Sequence, residues 1–140
     1  MQAMNNPYRP EGKYKAVLGL GSNTCGSRVT NLMGALNMIG RHIGRVAEVS
    51  DFYETRPFGP NSGNVPYINA VALIETDLDK DQIETVIKKI ENDAGRDRND
   101  PDHRITIDID LVVWDGVVLR PQEIDREYFS RGWKEVGKYV

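Results

Sequence analysis

One cysteine, Cys25, and two histidines are all that the 140-residue chain offers as thiolate or imidazole metal ligands. No intrachain disulfide can form, which suits a reducing cytoplasm, the compartment expected for this protein. No Cys/His metal cluster can be assembled either. Apolar runs are short: none approaches the roughly 20 residues that a helix needs to cross a bilayer, so no membrane partner is expected. Positive charge is not in excess. A formal net charge of −3 argues against nucleic acid as a partner, because domains that bind it present a basic surface. With 13 glycines and 7 prolines the chain is neither collagen-like nor of low complexity. Residues 1–13 are polar, contain Pro7, Pro10 and Gly12, and lack the apolar stretch of a signal peptide; they are expected to be a flexible tail. The remainder, 14–140, has the length of one domain, and its 39% hydrophobic content can fill one core. A monomer is expected.

What is present is a regular alternation of strand and helix signals. Tyr14 to Leu20 is an apolar run that ends at Gly21-Ser22-Asn23, a buried strand followed by a tight turn. Val29, Leu32, Met33, Leu36, Ile39 and Ile43 then fall at helical spacing, and Gly44 is a stop signal. Arg45 to Thr55 is a second strand, and Arg56 to Gly63, with two prolines and two glycines, is a loop. Tyr67 to Thr76 is a third strand. Asp79 caps a second helix with Gln82 completing a capping box; its stripe is Ile83, Val86, Ile87, Ile90 and Ala94, and Gly95 ends it. Gly95 to Arg104 is a polar loop. A fourth strand runs from Ile105 to Trp114, with Ile105, Ile107, Ile109, Leu111 and Val113 on one face and Thr106, Asp108, Asp110, Val112 and Trp114 on the other. Asp115-Gly116 is a hairpin turn leading into Val117 to Leu119. Arg120 to Val140 gives no clear assignment. The order is that of an α+β fold, a ferredoxin-like βαββαβ antiparallel sheet with added C-terminal elements.

The sharpest chemical feature is Asp108-Ile109-Asp110. Positions i and i+2 of a strand share a face about 7 Å apart, and two carboxylates placed so repel each other. A hard divalent cation relieves that repulsion; magnesium takes one or two carboxylates and leaves its other positions to water and phosphates. The competing explanation is the solvated face of a half-buried strand. Just before it, Arg96, Arg98, His103 and Arg104 are interleaved with aspartates. Arginine forks suit phosphate oxygens, but a solvated loop paired with its own acids has the same composition. Gly19-Leu20-Gly21-Ser22-Asn23 lacks the third glycine and lysine of a phosphate-binding fingerprint and is read as a plain turn. Tyr67 and Asn69 share a strand face, an aromatic platform beside an amide that suits a flat heterocycle; Trp133 supplies a second ring, or both aromatics are core or rim residues. His42 is a surface residue, and His103 has no metal-ligand partner at useful spacing.

Taken together, Leu18 to Asn23, Phe52 to Thr55, Pro57 to Pro60, Pro66 to Ala70, Ile90-Glu91, Gly95 to Arg98, Thr106 to Asp110 and Arg131 to Trp133 resemble, in order and spacing, the 6-hydroxymethyl-7,8-dihydropterin pyrophosphokinase family over residues 14–133. Thr-Ile-Asp-Ile-Asp is the most specific piece. The resemblance implies transfer of pyrophosphate from ATP to the hydroxymethyl group of a dihydropterin, with release of AMP, in folate biosynthesis. It implies two Mg2+ ions on Asp108 and Asp110. It implies a pterin between Tyr67 and Trp133, read by Asn69, Thr55 and Phe58. ATP would be met by Glu91, Arg98 and Arg131, with Arg96, Arg98 and Arg104 as catalytic arginines. The chain departs from the family pattern at Ile105, where the family has arginine, and Arg104 is the substitute. Arg56 stands where the family has proline, Ile124-Asp125 where it has Pro-His, and the polar loop lacks a tryptophan. The alternative implied by these departures is a divergent member that binds pterin or nucleotide with little or no transferase activity. A non-enzymatic ferredoxin-like domain, regulatory or RNA-binding, is the remaining reading.

Overall fold

The computed structural model describes residues 12–24, 27–57, 65–95, 99 and 105–140. Among them, strands β1 (Tyr14–Ser22), β2 (Gly44–Val49), β3 (Tyr53–Thr55), β4 (Tyr67–Thr76), β5 (Asp108–Trp114) and β6 (Val117–Val118) form one antiparallel sheet. Its order is β2-β4-β1-β5-β6, with β3 pairing with β4 beyond β2. Helices α1 (Arg28–His42) and α2 (Lys80–Asp93) cover one face, and α3 (Glu127–Val136) covers part of the other. The α+β architecture with β1 and β4 at the centre is the ferredoxin-like arrangement expected. The expected second strand is broken into β2 and β3 at residues 50–52, where Ser50 turns its hydroxyl back to accept from the Val71 N–H at 2.9 Å. Most of the expected tail, residues 1–11, lies outside the described residues. Gly12 and Lys13 are docked: the Lys13 N–H donates to Asp77 Oδ1 at 3.0 Å.

Period-two burial divides the sheet into two cores. Ala16, Leu18, Leu20, Ala70, Ala72, Ile74, Ile107, Ile109 and Leu111 face α1 and α2. Val17, Val71, Leu73, Val112 and Val113 face α3. The alternation expected for β5 holds as far as Val112 and then inverts. A bulge leaves Val112 without a partner between the pairs Val17–Val113 and Leu18–Leu111. The extra residue sends Val113 to the α3 side and Trp114 to the helix-pair side, because one inserted residue shifts a period-two pattern by half a cycle. Trp114 then lies on Tyr14 at 4.6 Å and donates to the Leu78 carbonyl. The strand also starts later than expected, at Asp108 rather than Ile105.

The helices begin and end as their residues dictate. Asp79 and Gln82 form the expected reciprocal capping box at 2.8 and 2.9 Å, and Gly95 follows α2 at φ 89°, a conformation that favours glycine. On α1 the buried stripe is Leu32, Ala35 and Ile39, while Val29 and Met33, expected on it, are 49% and 61% exposed. Asp115 and Gly116 adopt positive φ, as a two-residue hairpin requires.

No local pattern in the sequence marks an element at residues 127–136, where the structure forms α3. The reason lies at Gly132, which interrupts the apolar stripe because the α3 backbone itself touches the sheet there. A Cβ at this position would lie 2.5 Å from Val71 Cγ2 and 2.9 Å from Ser50 Oγ. Replacing Gly132 with alanine should therefore destabilise the fold by about 1–3 kcal/mol, the usual cost of overpacking, in spite of the better helix propensity of alanine. Gly34→Ala on the exposed face of α1, with nothing within 4 Å of the added methyl, should stabilise by up to about 1 kcal/mol. Urea unfolding of the two variants beside the parent protein measures both signs.

Candidate active site

Where α3 stops covering the sheet, a cavity of about 190 Å³ opens on that face. Its size suits one bicyclic ring. Gly19 and Gly21 make its floor. Both lie within β1, not in the tight turn expected there, and both point toward the α3 side. A Cβ on Gly19 would come within 3.1 Å of the Phe129 ring, and one on Gly21 within 3.1 Å of Asn69 Oδ1 and 3.3 Å of the Tyr67 ring. The glycines keep open a space that side chains would fill.

Sheet register sets the walls. Gly19 pairs with Asp110 and Gly21 with Asp108 on one side; Gly21 pairs with Asn69 on the other. Asp108 and Asp110 therefore line the cavity opposite Asn69 and Tyr67. Asn69 is buried, and its amide nitrogen donates to Thr55 Oγ1 at 2.7 Å and to the Tyr53 carbonyl at 3.3 Å. Those bonds orient the amide so that its oxygen turns toward Gly21. Thr55 is buried beside it and also lines the cavity. Amide, hydroxyl and the Tyr67 ring together form a surface for a flat polar heterocycle.

The acidic wall is under electrostatic load. Burial pushes the Asp110 carboxyl up to about 7, with Asp108 adding to the shift and Arg120 opposing it. Glu123, from the 3₁₀ turn Pro121–Glu123, also lines the cavity and accepts from the Tyr128 hydroxyl at 2.6 Å. Burial, with help from that carboxylate, raises the Tyr128 phenol. Among the described residues no group of three or more His, Cys, Asp or Glu side chains converges as a metal cluster; Asp108 and Asp110 stand as a pair.

The structure does not bring every expected residue to this cavity. Trp133 is absent from its lining and stacks on Phe129 at 5.7 Å, and it is Phe129 and Tyr128 that reach the cavity. Arg131 lies on the β3 side of α3, with its guanidinium 4.8 Å from the Tyr53 ring centroid and a bond to the Glu54 carbonyl. Glu91 is buried under the opposite face, where it accepts from the Ile109 N–H at 2.9 Å. It thus caps a backbone donor on the strand that carries both aspartates. Phe58, Arg96, Arg98 and Arg104 lie outside the described residues, as does His103, and His42 is exposed at the end of α1.

Three residues within the quoted motifs have supporting roles that the sequence did not assign them. Asn23 accepts from the Ile105 N–H at 2.5 Å and its own N–H donates to the Ile105 carbonyl, so it fixes where the chain enters β5. Ser22, donating to the same carbonyl and accepting from Asn31, assists. Tyr53 tethers α3: its hydroxyl donates to the Tyr128 carbonyl at 2.8 Å and accepts from the Gly132 N–H at 3.2 Å. Burial holds that phenol up at about 12. None of these roles is written in the neighbouring residues, because each residue bonds a segment more than 70 positions away.

The sequence model of the family described as 7,8-dihydro-6-hydroxymethylpterin-pyrophosphokinase matches residues 17–138. A 2-amino-4-hydroxy-6-hydroxymethyldihydropteridine pyrophosphokinase from Porphyromonas gingivalis is 36% identical over 99 residues, 69% of this chain and 66% of that protein. One from Haemophilus influenzae is 31% identical over 116 residues, 82% and 71% of the respective chains. The chain thus spans about two thirds of the length of these curated relatives. Among solved structures, the Plasmodium falciparum HPPK-DHPS with pteroate superimposes with a TM-score of 0.61 at 16% identity, over 76% of this chain and 31% of that one.

The load on Asp110 has a measurable sign. A carboxyl whose folded pKa is about 7, against an ordinary 3.8, keeps its proton longer in the folded state than in the unfolded one. Stability from this group is therefore present at low pH and is lost as pH rises from about 4 through 7. With divalent ions chelated, Asp110→Asn should be more stable than the parent protein at pH 8 by on the order of 1 kcal/mol or more, and the gap should shrink toward pH 5. Thermal melts of both proteins across that range provide the check.

Proposed function

Since the chain belongs to the 7,8-dihydro-6-hydroxymethylpterin-pyrophosphokinase family, we propose that it transfers pyrophosphate from ATP to the hydroxymethyl group of 6-hydroxymethyl-7,8-dihydropterin, a step of folate biosynthesis. The single observation that carries this reading is the register that sets Asp108 and Asp110 across Gly19 and Gly21 from the Asn69–Thr55–Tyr67 surface. An acidic wall and an amide-and-aromatic wall in one cavity support a phosphate-bearing and a heterocyclic substrate side by side.

In this reading the dihydropterin ring enters over Gly19 and Gly21. Tyr67 supports one side of the ring and Phe129 and Tyr128 close the other, in the place expected of Trp133. Asn69 accepts from the ring edge through its carbonyl oxygen, and the Thr55 hydroxyl, already accepting from Asn69, has its own proton to donate. These contacts aim the hydroxymethyl group at the acidic wall. Its oxygen forms a bond to the β-phosphorus of ATP while the bridging bond between the α- and β-phosphates breaks. AMP leaves with that electron pair, and the hydroxyl proton is released. Orientation supplies much of the rate in such a transfer.

Asp108 and Asp110 fit magnesium: they are hard oxygen donors, and burial with mutual repulsion penalises their joint ionisation until a cation joins them. When bound there, magnesium would neutralise charge on the transferring phosphates. The arginines at 96, 98 and 104, in the segment of sequence before β5, would meet those phosphates. Glu91 would act through β5, by fixing the Ile109 N–H, and Arg131 through Tyr53 and α3.

Incubation with ATP, magnesium and 6-hydroxymethyl-7,8-dihydropterin should release AMP in step with pterin diphosphate. Asp108→Ala and Asp110→Ala should each lower the rate by roughly 100-fold or more without lowering the melting temperature. AMP at background in the parent protein, with dihydropterin still bound, would replace the transferase by a pterin-binding protein. Near-parental rates in either variant would remove the metal assignment.

A further inference from the structure

Arg56 directly follows Thr55 and is the one cation among the described residues that line the cavity. Among the described residues, the other arginines around this end of the sheet are committed. Arg28 binds Glu54 and the Pro66 carbonyl, both at 2.9 Å. Arg120 binds the Leu111 carbonyl and Glu84, and Arg131 binds the Glu54 carbonyl. Arg56 forms neither a hydrogen bond nor an ion pair with any described residue, although Asp108, Asp110 and Glu123 line the same cavity. A guanidinium facing three carboxylates closes onto one of them when distance allows. Here the cavity holds them apart, so cation and acids stand as opposite walls of one open space.

We propose that Arg56 grips the pyrophosphoryl group of the diphosphorylated pterin, so that residues 55 and 56 read the ring and its anionic substituent in turn. This inference rests on the pterin reading above. A planar fork of five N–H donors matches phosphate oxygens in pairs, and a pyrophosphoryl group attached to a ring held by Thr55 and Asn69 enters the space between Arg56 and the acidic wall. The acidic wall alone repels such an anion. Arg56 makes the cavity a binder of the phosphorylated heterocycle and not of the alcohol alone, which gives it a part in retaining product after AMP has left. Because Arg56 is exposed, the contribution is screened by salt.

The test compares affinities, not turnover. Binding of 6-hydroxymethylpterin and of its diphosphate ester is titrated by pterin fluorescence, in magnesium at low ionic strength, against the parent protein, Arg56→Ala and Arg56→Lys. The expected result is a loss of about tenfold for the diphosphate in Arg56→Ala, with the alcohol changed less than about twofold. Arg56→Lys should recover part of the loss, as a point charge replaces the fork, and added salt should erase the difference between parent and variant. Equal weakening of both ligands, or an unchanged diphosphate affinity, overturns the inference and leaves the pterin reading standing. A parent protein that binds neither pterin overturns the pterin reading and this inference with it.

Discussion

The pairing of β1 with its two neighbours is the constraint on which the site depends. Gly19 and Gly21 are flanked by Asp110 and Asp108 on one side and by Val71 and Asn69 on the other. Side chains at the same level of three adjacent strands point to the same face, so two missing side chains on the central strand become a trough between an acidic wall and an amide wall. A slip of one residue in either pairing would turn the aspartates or Asn69 into the apolar layer beneath α1 and α2. The buried run Ala16, Leu18 and Leu20 against Ala70, Ala72 and Ile74 prevents that slip, because burying polar groups there would cost far more than the sheet could recover. The hydrophobic core thus holds the polar site in place through register.

The same face shows how stability is traded for chemistry. Over most of it α3 packs closely, with Gly132 against Val71 and Tyr53 bonded to the helix backbone. Beyond Phe129 the covering ends, and the sheet carries carboxylates where it could have carried valines. Asp110 is held well above its ordinary range by burial and by Asp108, a load that the proposed cation would relieve. Folate-pathway transfer of a pyrophosphoryl group, as proposed, uses this strained wall beside a neutral polar one. Arg56 at the mouth lends the pair of walls a preference for an anionic heterocycle.

Much of the frame was legible in the chain because its signals are local. The capping box at Asp79 and Gln82, the Asp115-Gly116 turn and the ten-residue run from Tyr67 to Thr76 each follow from neighbouring residues, and each is where it was expected. The Asp108–Asp110 pair was legible for the same reason: two-residue spacing on a strand is enough to place both groups on one face. Helix α3 was not, since its stripe carries a glycine whose purpose is a contact with Val71, 61 positions earlier in the chain. Nor was the bulge at Val112, which exists only relative to β1, so simple alternation puts Val113 and Trp114 on the faces opposite to those they take.

The amino-acid order by itself determined most of the strands, the two helices α1 and α2, and that two carboxylates stand together, because propensity, capping and periodicity act over a few residues. Tertiary structure decided what those carboxylates look across to. It turned Gly19 and Gly21 from a turn into a floor, put Phe129 and Tyr128 at the cavity with Trp133 behind, and set Glu91 beneath the strand that carries both aspartates. Those outcomes depend on register and on helix-to-sheet contact between segments far apart in the chain, quantities that no local pattern encodes.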